Sequence, residues 1–533
     1  MPLLTQHYAG KSPWLIRLPQ ELLDDILSDL EHRDLISLAL TSRACNALVI
    51  PQHTEYRVIR TRHLHPAMWA HLARRLDLTR NIREIHICER HNKTASDRVP
   101  RTLIDRCVDE KVANMTEERR VRNICTALGH MRRLHTFTWS WDVNPPTNPT
   151  VEPGHENAIL DALSRKKTLR HLGLSGRFGV HAPGAGYDPD SALYPLWGFS
   201  NLTSLCLRGD AWIKPSNSAH LKRMLARSPA MEYLEMPMEF STLAECRFPR
   251  LKGLNLFLQS GGIRSIDPCF VRFLDGHPTV EDLSWLPLGP VYMSPHTLPA
   301  LRRLRTNIQV AGMLDCQMIE SLDIYQLDPA TLVELKNLQC GSVRKVKLHA
   351  FGELSALYQL SDLFPDLTWL SMPSRVFLFA PRELADSAGP QEDWLDLLPR
   401  FRKLEVFRGQ GLWAAVTLNM QRMHGVIMQL VQLCPNLRQL DHCGHNQARQ
   451  DWNRITIIRE GPEGENVRYR VRGRVLSGFV VERSFRSFRL IGRLQGSGLT
   501  CTYRSLDAHY IRTGGGLMRL RAPLISVRTM GLG

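Results

Sequence analysis

The sequence predicts an α/β chain in which a short N-terminal module of three helices is followed by a curved solenoid of helix–strand repeats. Three observations carry that prediction. Leu22, Leu23, Ile26, Leu27 and Leu30 recur at helical spacing near the N-terminus. A short apolar pattern, aliphatic-x-x-Leu-x-aliphatic, then returns along most of the chain. Between its copies lie amphipathic stretches that often end in a proline, as at Ser228-Pro229, Phe364-Pro365 and Cys434-Pro435.

The first helix is predicted from Pro19, whose missing N–H costs nothing at a helix start, with Glu21, Asp24 and Asp25 near the positive end of the helix dipole. Asp34 is the predicted N-cap of a second helix carrying Leu35, Leu38 and Ala39. Ser42 starts a third that carries Cys45 and Leu48. Three helices this short bury little area among themselves, so part of their apolar surface needs a partner. His32-Arg33-Asp34-Leu35 spells the opening of a kinase catalytic loop, but Ala39 stands where an Asn is needed and no Gly-rich loop or Asp-Phe-Gly occurs. The tetrad is expected to join two helices.

The stretch Leu18 to Pro51 resembles an F-box. Leu18, Pro19, Glu21, Leu22, Leu23, Ile26, Leu27, Asp34, Leu35, Leu38 and Ala39 match the Leu-Pro, Glu-Leu-Leu, Ile-Leu, Asp-Leu and Leu-Ala positions of that family in register. The third helix departs from it, with Ser42-Arg43-Ala44-Cys45-Asn46-Ala47 in place of a Cys-Arg-x-Trp type sequence. The resemblance implies docking onto a Skp-type adaptor and, through it, a cullin scaffold in a ubiquitin ligase. It places the adaptor contacts on Leu18, Pro19, Leu22, Leu23, Ile26, Leu30, Leu35, Leu38, Ala39 and Leu48.

Copies of the repeat begin at Ile82, Leu169, Leu202, Met231, Leu251, Val280, Ile319, Val343, Leu367, Phe401 and Leu437, with weaker ones at Met131 and Leu301. They lie about 30 residues apart on average. The last two apolar positions of a copy are two apart and so face one side of a strand. Helical patterns at 66–76, 113–128, 155–164, 219–226, 269–274, 354–364 and 420–433 fall between the strands. Stacking them gives a solenoid with strands lining the concave face. The pattern resembles irregular leucine-rich repeats of the kind found behind F-boxes, particularly in fungi. Two Pro- and Gly-rich stretches, 142–154 and 177–198, are expected to be rim loops.

Strand side chains between the buried positions should form the outer row of the sheet. The candidates for holding a target protein are Tyr233, Arg303, Arg305, Asp323, Tyr325, Lys345, Lys347, Trp369 and Phe407. Aromatic and Arg anchors mixed with both charge signs suit protein recognition better than phosphate binding.

The domains expected are an N-terminal tail at 1–14, the F-box at 15–54, the repeats at 55–450, a hairpin or cap at 451–473 and an Arg-rich tail at 474–533. Half of the net charge of +16 lies in that tail, which holds ten Arg against Glu482 and Asp507. Three readings of it stand: a disordered basic tail, a gene-model extension never selected to fold, or a nucleic-acid or membrane-surface segment. The 12 cysteines are scattered singly with no CxxC pair, as buried thiols in a reducing compartment would be. No apolar run is long enough to span a membrane, and the N-terminus lacks an apolar signal core, so a protein of the cytoplasm or nucleus is expected. His442, Cys443 and His445 with Cys434, and His86, Cys88 and His91, lack paired metal-ligand spacing; no metal or other cofactor and no catalytic residue is expected. These readings converge on a non-catalytic substrate receptor of a Skp-cullin-F-box ubiquitin ligase. The alternatives are an F-box scaffold that degrades nothing and a nucleic-acid binder acting through the tail.

Overall fold

A computed structural model describes residues 14–50, 53–61, 66–88, 116–140, 155–176, 194–209, 212, 215–237, 243, 245–257, 268–287, 291–314, 317–337, 341–350, 354–372, 391–409, 412, 420–446, 451–460, 466–474, 480–484, 509–513 and 516–520. The expected rim loop 142–154 and most of 177–198 lie outside these residues, as does the turn inside the expected C-terminal hairpin. Residues 1–485 form one compact unit and 486–533 a second.

The N-terminal module has three helices, α1 (Gln20–Asp29), α2 (His32–Thr41) and α3 (Arg43–Val49). Pro19 is the N-cap of α1, so the helix begins at Gln20, one residue later than expected, and the Pro19 carbonyl accepts from the amide of Leu23. Helix α2 is capped by Glu31, so Asp34 lies inside its first turn. The His-Arg-Asp-Leu tetrad is therefore that first turn and not a connection between helices. Ser42 caps α3 as expected, its hydroxyl accepting from the Cys45 amide at 3.1 Å. Leu27, Leu35, Ala39 and Val49 close a small core, with Leu30, Leu38 and Leu48 packed around it.

The remainder of the first unit is built on one 17-stranded sheet whose strands lie in chain order. The parallel strands are β1 (Val58–Thr61), β2 (Glu84–Cys88), β3 (Thr136–Ser140), β4 (His171–Ser175), β5 (Ser204–Arg208), β6 (Tyr233–Pro237) and β7 (Gly253–Phe257), continuing with β8 (Asp282–Ser284), β9 (Arg303–Thr306), β10 (Ser321–Ile324), β11 (Lys345–Leu348), β12 (Trp369–Ser371), β13 (Val406–Arg408) and β14 (Gln439–Asn446). Three antiparallel strands follow, β15 (Asp451–Glu460), β16 (Asn466–Arg474) and β17 (Val480–Ser484). In the second unit, β18 (His509–Thr513) and β19 (Gly516–Leu520) pair as an antiparallel hairpin.

Register stacks equivalent residues across the parallel strands. Ile59, Ile85, Phe137, Leu172, Leu205, Leu234, Leu254, Leu283, Leu304, Leu322, Val346, Leu370, Phe407 and Leu440 form one row, none more than 3% exposed. Helices between the strands cover this face in a single continuous core. They include those expected at 155–164 and 420–433, and three that the apolar pattern did not signal, at Ile308–Met313, Pro329–Asn337 and Gln391–Arg400. No helix among the described residues is long and apolar enough to cross a membrane.

Phe407 corrects the expected register. Leu370 pairs with Phe407, and Phe407 with Leu440, so the repeat reads Leu404-Glu-Val-Phe407 and starts three residues later than at Phe401. Phe401 is the buried residue of the preceding turn, in the place Phe364 and Cys434 take in their repeats. Phe407 is thus core, packed against Trp394, and has no place on the outer face. The Met131 copy shifts in the same way to Leu134 and Phe137.

The opposite face of the sheet carries the residues on either side of the buried row. There Tyr233 lies beside Gly253, and a Cβ at 253 would come within 2.6 Å of the Tyr233 ring carbon Cδ1.

Two expected outcomes follow from register and contact. Replacing Phe407 by Ala should destabilise the repeats by about 3 to 5 kcal/mol, whereas Val406→Ala should cost well under that; denaturant midpoints compare them. Gly253→Ala should cost about 1 to 3 kcal/mol in the native background and far less in a Tyr233→Ala background, a coupling that a double-mutant cycle reads.

Candidate functional site

Two surfaces carry unexplained side chains. The first is the N-terminal module. Leu22 and Ile26 stand one turn apart on α1, and Ile36 and Leu40 one turn apart on α2, all exposed, with Leu40 at 80%. Ile50 after α3 is also exposed. Of the expected adaptor contacts, Leu22, Ile26 and Pro19 face solvent and Leu18, Leu30, Leu38 and Leu48 are half-buried. Leu23, Leu35 and Ala39 are closed inside the module and present no contact surface as it stands. The i, i+4 spacing of Ile36 and Leu40 was readable in the sequence; what the pattern lacked was the side of the helix that α1 and α3 leave open.

The module is tied to the repeats at one point of high charge density. The Arg57 guanidinium donates to the Leu30 carbonyl at 2.6 Å, closing the C-terminal end of α1 where carbonyls lack partners. Burial pulls Arg57 below its ordinary pKa. Burial, followed by the neighbouring charges of Arg57 and Arg133, pulls Arg83 down to about 10.

The second surface is the outer face of the sheet. Across β5 to β10 it holds a pocket of about 370 Å³, lined among others by Tyr233, Glu235, Asp282, Arg303, Arg305 and Asp323. Four of the expected target-binding residues are therefore brought together there. Tyr233 is 46% exposed, and its ring lies against Gly253, where a side chain would collide with it. Arg303 Nε meets Asp282 at 3.1 Å, and burial nonetheless holds the Asp282 carboxyl above the usual range. Glu235 takes Arg208.

Asp323 is held by Lys347 Nζ at 3.5 Å and by His349 at 3.6 Å. Tyr325 stacks on His349 with ring centroids 5.0 Å apart, and the Arg305 guanidinium lies 5.5 Å over the same Tyr325 ring. Lys345 and Trp369 pair side by side on the neighbouring strands. Ser204, Cys206, Asn255, Ser284 and Ser321 also line the pocket. Ser284 lies two positions beyond Asp282 on its strand, so a strict alternation rule finds it; His349 follows β11 and no spacing signals it. Burial pushes the Cys206 thiol up to about 12, which leaves it protonated and unreactive as a nucleophile at neutral pH.

Elsewhere on the face, His86 bridges Thr138 at 2.8 Å and Glu84 at 3.3 Å, and this hydrogen bond holds Glu84 below the usual carboxylate range. Arg408 binds Asp441 at 2.8 Å and Gln439 at 2.7 Å. These are satisfied structural pairs. Among the described residues no three His, Cys, Asp or Glu are arranged to hold a metal ion; the side chains of His442 and Cys443, and all of His91, lie outside them.

No curated protein matches the chain. Among solved structures it is similar to one titled "Crystal structure of Rad7 and Elc1 complex in yeast", at 12% identity over 68% of this chain and 89% of that one, with a TM-score of 0.36. It is also similar to human 5T4 (Wnt-activated inhibitory factor 1, trophoblast glycoprotein), at 16% identity over 47% of this chain and 72% of that one, with a TM-score of 0.20. The family comparison is local and falls on the helical module with its exposed Leu22, Ile26, Ile36 and Leu40: residues 15–51 match the F-box domain.

Proposed function

We propose that the chain is a non-catalytic substrate receptor of a Skp-cullin-F-box ubiquitin ligase, working in the cytoplasm or nucleus. The observation that carries this reading is the pair of apolar ridges on the F-box, Leu22 with Ile26 and Ile36 with Leu40, left open by a module whose own core is already closed. Such a surface buries against a Skp-type adaptor, with Leu18, Pro19 and Ile50 at its margin and Leu30, Leu38 and Leu48 supporting it from beneath. Leu23, Leu35 and Ala39 shape the module from inside.

The repeats, read as irregular leucine-rich repeats forming a solenoid, hold a target protein on the outer sheet face. Tyr233, Arg303, Arg305, Asp323, Tyr325, Lys345, Lys347 and Trp369 are its contacts. The receptor then acts by concentration and placement: a target held on the sheet and a ligase held through the F-box meet far more often than free molecules would. No step of chemistry is assigned to this chain.

Replacing Leu22 and Ile26 together by Asp should lower capture of a purified Skp-type adaptor by more than about tenfold while leaving the circular dichroism of the repeats unchanged. Unchanged capture would sink the assignment. Leu35→Ala should act differently, lowering the melting temperature of the module and binding only in consequence. Affinity purification of the full chain should recover adaptor together with cullin; adaptor without cullin would favour a scaffold that leads to no ubiquitin transfer.

A further inference from the structure

We propose that the pocket on the outer sheet face takes the carboxylate of an aspartate or glutamate side chain of the bound target, gripped by Arg305; this rests on the reading of that face as the target site. The charge pattern around the pocket selects this ligand. Three of its lining residues are carboxylates, and each is met by a cation from a nearby element: Glu235 by Arg208, Asp282 by Arg303, and Asp323 by Lys347. Arg305 lines the same pocket, and among the described residues it has no carboxylate within ion-pair distance. Its neighbour in register, Asp323, pairs instead with Lys347 on the following strand.

The arginine is also held in place. Its Nε is buried without a hydrogen-bond partner, and its guanidinium lies over the Tyr325 ring, which His349 backs from the next repeat. A guanidinium fixed by stacking has already lost the freedom that binding would otherwise take from it, and its fork matches a carboxylate with two parallel N–H donors. Ser284, the register partner of Arg305 on β8, lines the same pocket and carries a hydroxyl that can donate to the same carboxylate.

A phosphate group fits this balance poorly. One cation is left over, and a dianion would enter a pocket that already contains Glu235, Asp282 and Asp323, where burial, with the charge of Asp323 adding to it, holds the Asp282 carboxyl above the usual range despite Arg303. A single negative charge completes the pairing. Exposed Tyr233, three strands away at the same pocket, offers an apolar ring to another part of the bound segment.

The test uses a random twelve-residue peptide library displayed on phage and panned on the immobilised full-length chain, with Tyr233→Ala as the control for binding on this face. Peptides lost on Tyr233→Ala should share an Asp or Glu at one fixed position. Synthetic copies should bind Arg305→Gln at least about tenfold more weakly, Arg305→Lys by an intermediate factor, and Arg305→Glu should select Lys or Arg at that position instead. Circular dichroism screens the variants for folding, and the lysine variant keeps the test informative if the glutamine one unfolds. Tyr233-dependent peptides with no fixed acid, or an acid preference that survives Arg305→Gln, would overturn the inference and leave the face as a target site. Tighter binding when phosphoserine replaces the acid would overturn the choice of a carboxylate. No Tyr233-dependent peptide at all would overturn the target-site reading together with this one.

Discussion

Everything on the sheet depends on one hydrogen-bonded fork made at the entrance to each parallel strand. The carbonyl of the residue just before a strand accepts from two consecutive amides of the next repeat. The Arg57 carbonyl takes the amides of Arg83 and Glu84, and the Arg83 carbonyl takes those of His135 and Thr136. The same fork recurs at every junction up to Glu405, which takes Arg438 and Gln439, with N···O distances between 2.7 and 3.2 Å. Both lone pairs of the carbonyl are thereby used. Because every residue offers the same amide and carbonyl, the buried side chains choose which residue makes each fork. The row of buried apolar residues from Ile59 to Leu440 stacks with each of its members two residues beyond a fork carbonyl. At the last junction the Arg438 carbonyl accepts from Ile457 of an antiparallel strand, so β15 ends the series without leaving β14 as an open edge.

Side chains at the forks tell a weaker story. Glu232 meets Lys252 at 3.3 Å, Arg302 meets Glu320 at 3.6 Å, Asp366 meets Lys403 at 3.0 Å and Arg344 at 3.7 Å, and Glu405 reaches Arg438 at 4.0 Å. From Glu232 to Arg344 the residues that make the forks alternate in charge, yet these pairs are largely exposed and screened by solvent, so they add little to stability. They accompany a register set by the buried row. The pocket differs: its pairs run across the sheet face between strands that the forks hold at fixed offset, so the relative positions of Glu235, Asp282, Arg303, Arg305 and Asp323 are inherited from the main chain. A rigid frame under a mixed row of charges makes the row a specific surface.

The strands were legible because the inward positions repeat in the sequence, and the errors occur where a third apolar residue precedes the pattern. Phe401, Leu404 and Phe407 are spaced by three, as are Met131, Leu134 and Phe137, and spacing alone cannot say which pair frames the strand. Which of the three stacks on the buried row of the neighbouring strands decides, and that is tertiary information. β1 escaped notice because Tyr56 takes the place of the entering aliphatic residue. Ile308–Met313 is too short to show a helical period, and Gln391–Arg400 carries Pro399 inside it. In the F-box the apolar stripe of α1 was plain, but it is wide enough to hold both Leu23 and Leu27, which turn inward, and Leu22 and Ile26, which turn out. The outer set is decided by where α2 and α3 pack, which is tertiary information.

Position, more than affinity, is what the junction between F-box and repeats contributes. A receptor that only tethered its target would need no more than a flexible linker. Here the chain runs from α3 to β1 through a short segment in which the His53 amide donates to the Val49 carbonyl, Arg57 caps α1, and Tyr56 is buried with its hydroxyl 3.0 Å from His71. Burying Arg57 and Arg83 side by side opposes their ionisation, and the fields of Asp29 and Glu84 offset part of that cost. A linker selected only for reach would not carry such a cost. The F-box is instead fixed against the first repeat, and the first repeat fixes the next through its fork. Under the proposed role, a target on the sheet face is therefore presented to the ligase at a set place, and which of its lysines are within reach follows from where along the strands it binds.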